Sequence, residues 1–386
     1  MNLNRLTILT STVMALSACF HAEPNRSVQG RGDTAQIFPA PQLPFAPRGY
    51  VCYRASAPLV LDGKLDDAAW ERAEWTEDFV DIEGALKPAP RLRTRAKMLW
   101  DEKYFYIAAE LEEPHVWATL TKRDAIIFYD NDFEVFIDPD GDTHRYYELE
   151  VNALATEWDL FLPRPYRDGG PALHSWDIQG LITRTQVAGT INQPNDVDQG
   201  WSVEIALPWE VLKECSPSGA PPQEGQQWRV NFSRVEWQTE VSNGQYVKKK
   251  NAQTGKPLPE DNWVWSPQGL INMHYPERWG FVQFSERVVG TGVESLRVPA
   301  QENAKQALRE LYYQQRTFFN QHKKFAENVF ELGLPGMRVA GYRWPPEMKT
   351  TWSMFEARLP SENGAEVWRI NHEGLVWEGS ELLPER

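Results

Sequence analysis

Short strand-like segments separated by turn residues fill the middle of this sequence and leave few patterns typical of long helices. Each segment is rich in aromatic and β-branched residues, which favour a pleated, half-buried surface. Eight such segments cover residues 94–100, 104–111, 133–138, 146–153, 181–187, 201–206, 228–237 and 279–284. Strands at this spacing, without alternating long helices, favour an antiparallel sandwich or barrel over a parallel sheet. The sequence therefore predicts an all-β fold class, with an antiparallel β-sandwich over residues 58–284.

Two of these segments flank an acidic turn, Asp138-Pro139-Asp140-Gly141-Asp142. Side chains alternate between the two faces of a strand. In the second segment one face therefore carries Tyr147, Leu149 and Val151, and the other face carries Glu148, Glu150 and Asn152. We expect the first face to belong to a core and the second face to carry polar groups.

The charge balance excludes one large class of partners. The 386 residues include 54 acidic and 40 basic side chains, which gives a formal net charge of −14. Such a chain repels nucleic-acid phosphates, so we expect no nucleic-acid partner. The 17 tryptophans are suited either to a core or to flat platforms on which other rings stack.

The first 19 residues are typical of a targeting segment. Arg5 supplies positive charge, residues 6–16 form a short apolar region, and Leu16-Ser17-Ala18-Cys19 follows. These four residues resemble a bacterial lipobox, which implies cleavage before Cys19 and lipidation of that cysteine. The expected location is the cell envelope, with a lipid anchor at the outer membrane and a periplasmic or surface face. The alternative is an ordinary secretory signal in which Cys19 is incidental.

Residues 20–57 contain Pro39, Pro41, Pro44 and Pro47 and are predicted to form a semi-extended tether. Two further cysteines, Cys52 and Cys215, could form a disulfide or remain as two buried thiols.

Residues 285–386 differ in pattern from the rest. Apolar residues three and four apart predict a helix over residues 299–332, about 50 Å long if continuous. Asn363-Gly364 offers a tight hairpin turn between two short strands. The appendage is therefore predicted to be a long helix with a small antiparallel sheet. It would serve either to dock a partner or, as we prefer, as a lid on the sandwich.

Several motifs in a fixed order carry a family resemblance. They are Leu61-Asp62-Gly63, Asp67-Ala68-Ala69-Trp70, Trp100-Asp101-Glu102-Lys103-Tyr104, Glu134-Val135-Phe136-Ile137-Asp138, residues 200–209, Trp228-Arg229-Val230-Asn231-Phe232, and Trp265-Ser266 up to Trp279-Gly280. Together they resemble the family 9 carbohydrate-binding modules across residues 58–284. The resemblance implies a two-sheet β-sandwich that binds polysaccharide or oligosaccharide, often as an accessory module of xylanases and other glycan-degrading enzymes, and often with bound calcium.

The resemblance also implies site residues. In sugar-binding members two tryptophans clamp a pyranose ring; here Phe128, with Tyr129 beside it, stands at one clamp position. Met273, next to His274, stands at the other. Glu134 matches an acidic residue that contacts sugar and Asn152 matches an asparagine, whereas Glu150 replaces an expected arginine. That replacement reverses the local field, so the hydroxyl network must differ or the ligand does.

Two further tryptophans are candidate platforms for sugar. Trp176 follows the loop Asp168-Gly169-Gly170-Pro171, and loop aromatics are often functional. Trp237 precedes the polar stretch 238–261, whose length suggests an insertion near the binding edge. The candidate sugar-binding residues are therefore Phe128, Tyr129, Glu134, Glu150, Asn152, Trp176, Trp237 and His274.

The acidic turn is a candidate calcium site, because Ca²⁺ takes six to eight oxygen ligands. Asp138, Asp140 and Asp142 alternate around Gly141, while the bidentate glutamate that completes an EF-hand is missing. Asp130 and Asp132 either join this set or cap a strand. The alternative is a solvated hairpin turn rich in aspartate.

No motif indicates catalysis. Carboxylate pairs are present, but acidic residues are so common here that they carry little information, and neither Gly-x-Ser-x-Gly nor His-Glu-x-x-His occurs. The favoured function is non-catalytic carbohydrate binding in glycan degradation or uptake, together with glycan-degrading enzyme partners. The alternatives are a hydrolase acting on O-glycosyl bonds and a scaffolding surface lipoprotein.

Overall fold

The computed structural model describes residues 37–216 and 218–379, and β-strands dominate them. Up to residue 288 the strands are β1 (Gly49–Arg54), β2 (Val80–Asp81), β3 (Thr94–Trp100), β4 (Tyr104–Glu112), β5 (Asp132–Asp138), β6 (Tyr146–Asn152), β7 (Glu157–Leu162), β8 (Ile182–Ala188), β9 (Gly200–Pro208), β10 (Gln227–Glu236), β11 (Thr239–Ser242), β12 (Gln245–Lys248), β13 (Asp261–Val264) and β14 (Gly280–Val288). Two short helices, α1 (Ala68–Arg72) and α2 (Trp209–Leu212), lie between them. The mostly β fold is therefore confirmed.

Most of these strands form a single hydrogen-bonded sheet in the order β7-β6-β5-β10-β14-β1-β3-β4-β9-β8, with β13 and β2 branching from β10. The strands from β7 to β14 pair antiparallel, and so do those from β3 to β8. Strand β1 joins the two halves and runs parallel to both neighbours, with Tyr50 opposite Val282 and Tyr53 opposite Leu99. The expected two separate sheets are therefore connected through β1.

One apolar core lies between the inward faces of the two halves. The ring of Phe79 stacks 6.4 Å from both Phe133 and Phe232. Trp209, the first residue of α2, lies 5.6 Å from Trp228 on β10. The predicted alternation on β6 is confirmed, because Tyr147, Leu149 and Val151 are all buried in this core. Glu148, Glu150 and Asn152 point to the opposite face of the sheet.

The eight predicted strands all exist, with ends shifted by up to four residues. The structure corrects the predicted tether over residues 20–57: Gly49–Arg54 is strand β1, and Phe38, Tyr50 and Cys52 are buried. A four-residue run of strand-forming residues, Tyr50-Val51-Cys52-Tyr53, outweighs the nearby prolines. Cys52 and Cys215 are both buried and free, so of the two alternatives the buried thiols are found. Cys19 and the rest of the targeting segment lie outside the described residues.

The C-terminal part contains helix α3 (Glu302–His322) and a four-stranded antiparallel sheet of β15 (Glu347–Thr350), β16 (Phe355–Pro360), β17 (Val367–Asn371) and β18 (Val376–Glu378). The hairpin at Asn363-Gly364 joins β16 to β17, as predicted. The helix is shorter than predicted, because Lys323 adopts a left-handed conformation (φ 56°) and ends it. The chain then turns back, and Phe325 stacks on Phe319 at 4.7 Å.

Helix α3 packs on the small sheet and also reaches the loops of the large one. Leu308, Leu311 and Ile370 share an apolar cluster. Arg229 of β10 forms a buried ion pair with Glu302 at 2.5 Å. Arg309 donates to the backbone carbonyl of Asp142 at 3.0 Å. These contacts agree with the preferred prediction of an appendage packed against the β domain. No helix within residues 37–216 and 218–379 is long and apolar enough to span a membrane.

Candidate functional site

The outward face of β5 and β6 carries a floor of buried carboxylates. Glu134 lies directly opposite Glu150 in the strand register, and Glu148 lies opposite Phe136. Directly opposed residues on neighbouring strands have Cβ atoms about 5 Å apart. Glu134, Glu148 and Glu150 are only 7%, 5% and 2% exposed. The acidic face that the alternation predicted is thus assembled, and only a small part of each of these residues reaches the surface.

One wall of the site is formed by a 3₁₀ turn, Ile127–Tyr129, just before β5. The backbone N–H of Phe128 donates to Glu150 Oε2 at 2.9 Å, which fixes this turn over the floor. The rings of Phe128 and Tyr129 meet edge to face at 4.9 Å, and Tyr129 is 51% exposed. The structure therefore brings Phe128, Tyr129, Glu134 and Glu150 together, as predicted.

The other wall combines His274 with Tyr166, a residue that the sequence reasoning missed. The Tyr166 ring lies 4.5 Å from the His274 ring at 79°, and His274 Nδ1 is 2.9 Å from the Tyr146 hydroxyl. Tyr166 is 44% exposed. Its position in the loop between β7 and β8, next to two prolines, was the available signal. Tyr166 lies close enough to Glu148 and Glu150 to be influenced by their charges. Tyr129 and Tyr166 thus present two exposed rings beside the acidic floor.

Burial and mutual repulsion dominate the electrostatics of the floor. Burial raises the pKa of Glu134 to about 7. For Glu150, burial together with the charges of Glu134, Asp132 and Glu148 raises the pKa well above its ordinary value. Burial, with the charge of Arg167, lowers the pKa of His274 to about 3, so that the imidazole is neutral at physiological pH. The floor offers oxygen acceptors, and burial together with mutual repulsion raises the pKa of its carboxyl groups.

Asn152 and Asp130 support the site from within the fold instead of lining it, which corrects their predicted roles. The Asn152 amide donates to the Leu120 carbonyl at 2.8 Å and to Asp130 Oδ2 at 3.0 Å. Asp130 also accepts the N–H groups of Thr119 and Leu120, both at 2.7 Å. Both side chains are almost completely buried. Neither has a polar group left to offer to a sugar or a cation.

Trp176 is not a platform at this site, which corrects the prediction that its ring is available to stack on a sugar. Its ring stacks on Tyr147 at 5.2 Å and lies 5.7 Å from Phe161. Tyr147 faces the core, on the other side of the sheet from Glu150. The spacing of loop residues in the sequence could not show onto which face of the sheet this loop folds.

Trp237 does lie at the edge of the site. Its indole N–H donates to the Phe128 carbonyl at 2.8 Å. The Lys248 ammonium lies 3.2 Å from the Trp237 ring centroid and 5.6 Å from that of Tyr129. Burial lowers the pKa of Lys248 to about 8, against the opposing effect of nearby carboxylates that include Asp130. The β11–β12 hairpin therefore borders the binding edge, where the long polar stretch was expected.

The acidic turn brings Asp138, Asp140 and Asp142 within ligand distance of one another. Their oxygens are nevertheless already used: Asp138 accepts the N–H groups of Gly141 and Thr143, and Arg145 contacts both Asp140 and Asp142. A cation would have to displace this arginine and the hydrogen bonds of the turn. These residues therefore fit calcium poorly, although the turn is not a fully solvated one, because Asp138 is completely buried.

A second set of oxygens fits a cation better. Asp132, Glu134 and Glu150 each place one carboxylate oxygen within 4.8 Å of the others, and all three residues are buried. Asp132, predicted as a metal ligand together with Asp130 and the turn, thus lies beside the acidic floor instead. Asp132 and Glu134 are two residues apart on β5 and share a face, and the register of β5 with β6 adds Glu150.

The sequence of this chain is similar to those of known carbohydrate-binding proteins and enzymes. Residues 61–257, just over half of the chain, match the family described as carbohydrate family 9 binding domain-like. An exoglucanase of Acetivibrio thermocellus is 25% identical over 153 residues, and an endo-1,4-β-xylanase of Thermoanaerobacterium saccharolyticum is 26% identical over 153 residues. Both matches cover 40% of this chain, but only 12% and 11% of the two enzymes.

A solved carbohydrate-binding module of family 9 from Caldicellulosiruptor kristjanssonii, in complex with cellotriose, is 16% identical to this chain. The superposition covers 64% of this chain and 99% of the module, with a TM-score of 0.40. The match of the family model, over the strands that build the site, confirms the predicted family. The chain belongs to the carbohydrate family 9 binding domain-like family.

Proposed function

We propose that this protein is a non-catalytic carbohydrate-binding protein that uses the acidic floor and the Tyr129–Tyr166 rim to hold a polysaccharide or oligosaccharide. The observation that carries the proposal is the pairing of two exposed phenol rings with a hydrogen-bond-accepting floor, in a chain of this family. The C–H faces of a pyranose are apolar and stack on aromatic rings. Its hydroxyl groups donate hydrogen bonds to Glu134, Glu148 and Glu150.

The wider setting follows from the sequence and the relatives. We propose that Cys19 is lipidated and anchors the chain at the cell envelope, where it serves enzymes that act on glycans. Support comes from the lipobox-like Leu16-Ser17-Ala18-Cys19 and from relatives that are named as an exoglucanase and a xylanase. The two halves of the sheet would then act as the two layers of a family-type β-sandwich that carries the site on its outer face.

Calorimetry with xylo- and cello-oligosaccharides, backed by affinity electrophoresis on soluble polysaccharides, tests the binding. We expect Tyr129→Ala and Tyr166→Ala each to weaken the affinity about tenfold, because a stacked aromatic pair contributes about 0.5–1.5 kcal/mol beyond its buried area. Trp352→Ala is the matched control, since Trp352 is 76% exposed but lies in the C-terminal sheet region. That variant should bind like the parent protein.

The alternatives make different predictions in the same experiments. If no glycan binds, or if both tyrosine variants bind like the parent protein, the proposed site is wrong. Release of reducing ends from a polymer that disappears in Glu134→Gln would instead indicate a hydrolase acting on O-glycosyl bonds. A protein partner that binds equally well with and without glycan would favour scaffolding.

A further inference from the structure

We propose that Asp132, Glu134 and Glu150 bind one divalent cation, Ca²⁺ in the first place, at the edge of the acidic floor. This inference deepens the proposed function, because the cation would lie beneath the sugar. The cation site itself rests on the geometry of β5 and β6, and it can be tested independently of sugar binding.

The strand register supplies the ligand geometry. Asp132 and Glu134 are two residues apart on β5 and therefore share a face, and Glu150 lies directly opposite Glu134 on β6. One oxygen from each of the three lies within 4.8 Å of the others. Ca²⁺ binds oxygen at 2.3–2.6 Å, so two ligands of one ion lie at most about 5 Å apart. The three carboxylates are thus already within the span of a single ion.

Among the described residues, one oxygen of Asp132 in this cluster and one of the adjacent Glu148 are buried without a hydrogen-bond partner. Within residues 37–216 and 218–379, no hydrogen-bond donor reaches Asp132 Oδ2 or the neighbouring Glu148 Oε2. Asp132 is fully buried and Glu148 is 5% exposed. A buried polar atom without a partner is costly, and such an atom in a native fold requires an explanation. A bound cation supplies the missing partner for Asp132 and reduces the repulsion that Glu148 experiences.

The other acidic clusters differ in one respect, since each contains its own arginine. Arg145 pairs with Asp140 and Asp142 in the turn, and Arg123 pairs with Asp159 near the start of β7. The charges that act on Asp132 and Glu150 are instead those of neighbouring carboxylates, Glu134 and Glu148 among them. The Lys248 ammonium is close enough to be influenced by Asp132, but it lies on the Trp237 ring. The floor is therefore the cluster that needs an external positive charge.

The chemistry of the donors selects the class of cation. Three carboxylates and no nitrogen or sulfur ligand suit a hard cation such as Ca²⁺ rather than Zn²⁺ or Cu²⁺. Ca²⁺ takes six to eight oxygens, so several positions remain after three carboxylates have bound. Water fills them in the free protein. Two neighbouring hydroxyl groups of a sugar can replace two of these waters, which would make sugar binding calcium-dependent.

Calcium binding is measured first without sugar, on metal-depleted full-length protein. We expect calorimetry to show one Ca²⁺ per chain, and tryptophan-sensitised Tb³⁺ luminescence to appear and to be displaced by Ca²⁺, because Trp158 lies directly opposite Glu150 in the sheet. Glu150→Gln and Glu134→Gln should each weaken Ca²⁺ binding at least tenfold. Asp140→Asn, in the arginine-paired turn, is the control and should bind Ca²⁺ like the parent protein.

Thermal unfolding separates loss of the site from loss of the fold. Ca²⁺ should raise the Tm of the parent protein and of Asp140→Asn by several degrees, and should leave the Tm of Glu150→Gln unchanged. In EDTA, Glu150→Gln should melt at or above the Tm of the parent protein, because it removes a repelling buried charge. The proposal is overturned if Ca²⁺ produces neither heat nor a Tm shift, or if Asp140→Asn abolishes binding while Glu150→Gln does not.

Sugar binding is then compared in Ca²⁺ and in EDTA. A loss of affinity in EDTA that Ca²⁺ restores supports the cation as part of the sugar site. If Ca²⁺ binds as described but no glycan binds in either condition, the cation site stands and the proposed function fails. If a glycan binds equally well in both conditions and Ca²⁺ does not bind at all, the proposed function stands and this inference fails.

Discussion

At the scale of single residues, the family motif that contains Glu134 lies in the site, whereas the motifs around Gly63 and Trp70 secure the fold. Glu204 on β9 accepts the backbone N–H groups of Asp62 and Gly63, at 2.9 and 2.7 Å, and the indole N–H of Trp70 at 2.9 Å. Gly63 adopts φ +89°, and a Cβ there would approach the Thr185 backbone to 2.5 Å. These residues were recognisable in the sequence because their structural roles allow few other residue types: Gly63 needs a positive φ, and Trp70 donates its indole N–H to Glu204.

The residues of the site could be predicted only in part. The alternation along β6 correctly placed Glu148 and Glu150 on a polar face, because strand periodicity is local. Which loops fold over that face depends on tertiary packing, so the position of Tyr166 was missed, and Trp176 was predicted to be a platform although its ring packs on Tyr147. Asn152 and Asp130 looked functional by type, but their hydrogen-bonding groups are used within the fold.

One residue-scale prediction concerns acid stability. His274 has an ordinary pKa of 6.5, and burial with the charge of Arg167 lowers its pKa in the fold to about 3. Below pH 6.5 the unfolded chain therefore binds a proton that the folded protein does not, and stability falls as the pH falls. The contribution is about 1.4 kcal/mol per pH unit, so about 2 kcal/mol is lost between pH 6.5 and 5.

The variant His274→Gln keeps a partner for the Tyr146 hydroxyl but does not titrate. Urea unfolding at pH 7 and at pH 5 should show that the variant loses about 2 kcal/mol less than the parent protein over this interval. Other groups titrate in both proteins, so the difference between the two curves isolates His274. Parallel curves for the two proteins would refute the depressed pKa.

At the scale of elements, the helical periodicity located α3 but not its end. Predicted over residues 299–332, the helix covers Glu302–His322. The end is set by a long-range contact: the Gln315 side chain donates to the Ala326 carbonyl and accepts its N–H, both at 2.9 Å. This pair of hydrogen bonds holds the segment after Lys323 against the helix. The apolar residues of that segment have a spacing similar to that of a helix, so the helix was predicted to continue through them.

Removal of this clamp should destabilise the C-terminal part. Gln315→Ala leaves the buried N–H and carbonyl of Ala326 without partners, and we expect a loss of about 2–3 kcal/mol in the free energy of unfolding. Gln314→Ala, at the exposed neighbouring position, is the control and should change stability by less than about 0.5 kcal/mol. Denaturant titration followed by tryptophan fluorescence measures both. Equal stabilities for the two variants would contradict the role of the clamp.

At the scale of the whole molecule, helix α3 holds the loop that carries Tyr166. Arg167 pairs with Glu277 at 2.9 Å, and Arg316 of α3 pairs with Asp168 at 2.6 Å. Burial alone would raise the pKa of Glu277, but Arg167 and its other positive neighbours lower it to about 2. Three segments that are far apart in the sequence meet in this network. No local pattern could have revealed it, and it joins the C-terminal appendage to the loop of the proposed sugar site.

Arg316→Met tests whether this connection positions the rim. The variant keeps most of the apolar length of the side chain but loses the ion pair with Asp168, so the Tyr166 loop is held less firmly. We expect a several-fold loss of glycan affinity, measured by calorimetry, while the affinity for Ca²⁺ is unchanged. In a Tyr166→Ala background the same change should have no further effect on glycan affinity. Additive losses in the double variant would show that Arg316 acts by another route.

The joining strand β1 has a consequence for any attempt to isolate the recognition module. The family match ends at residue 257, yet β14, which pairs with both β10 and β1, begins at Gly280, and the helix that holds Tyr166 in place begins at Glu302. A fragment cut at the border of the match would lose the seam between the two halves of its sheet. If the proposed glycan site is correct, we expect a minimal binding fragment to extend nearly to the C-terminal sheet.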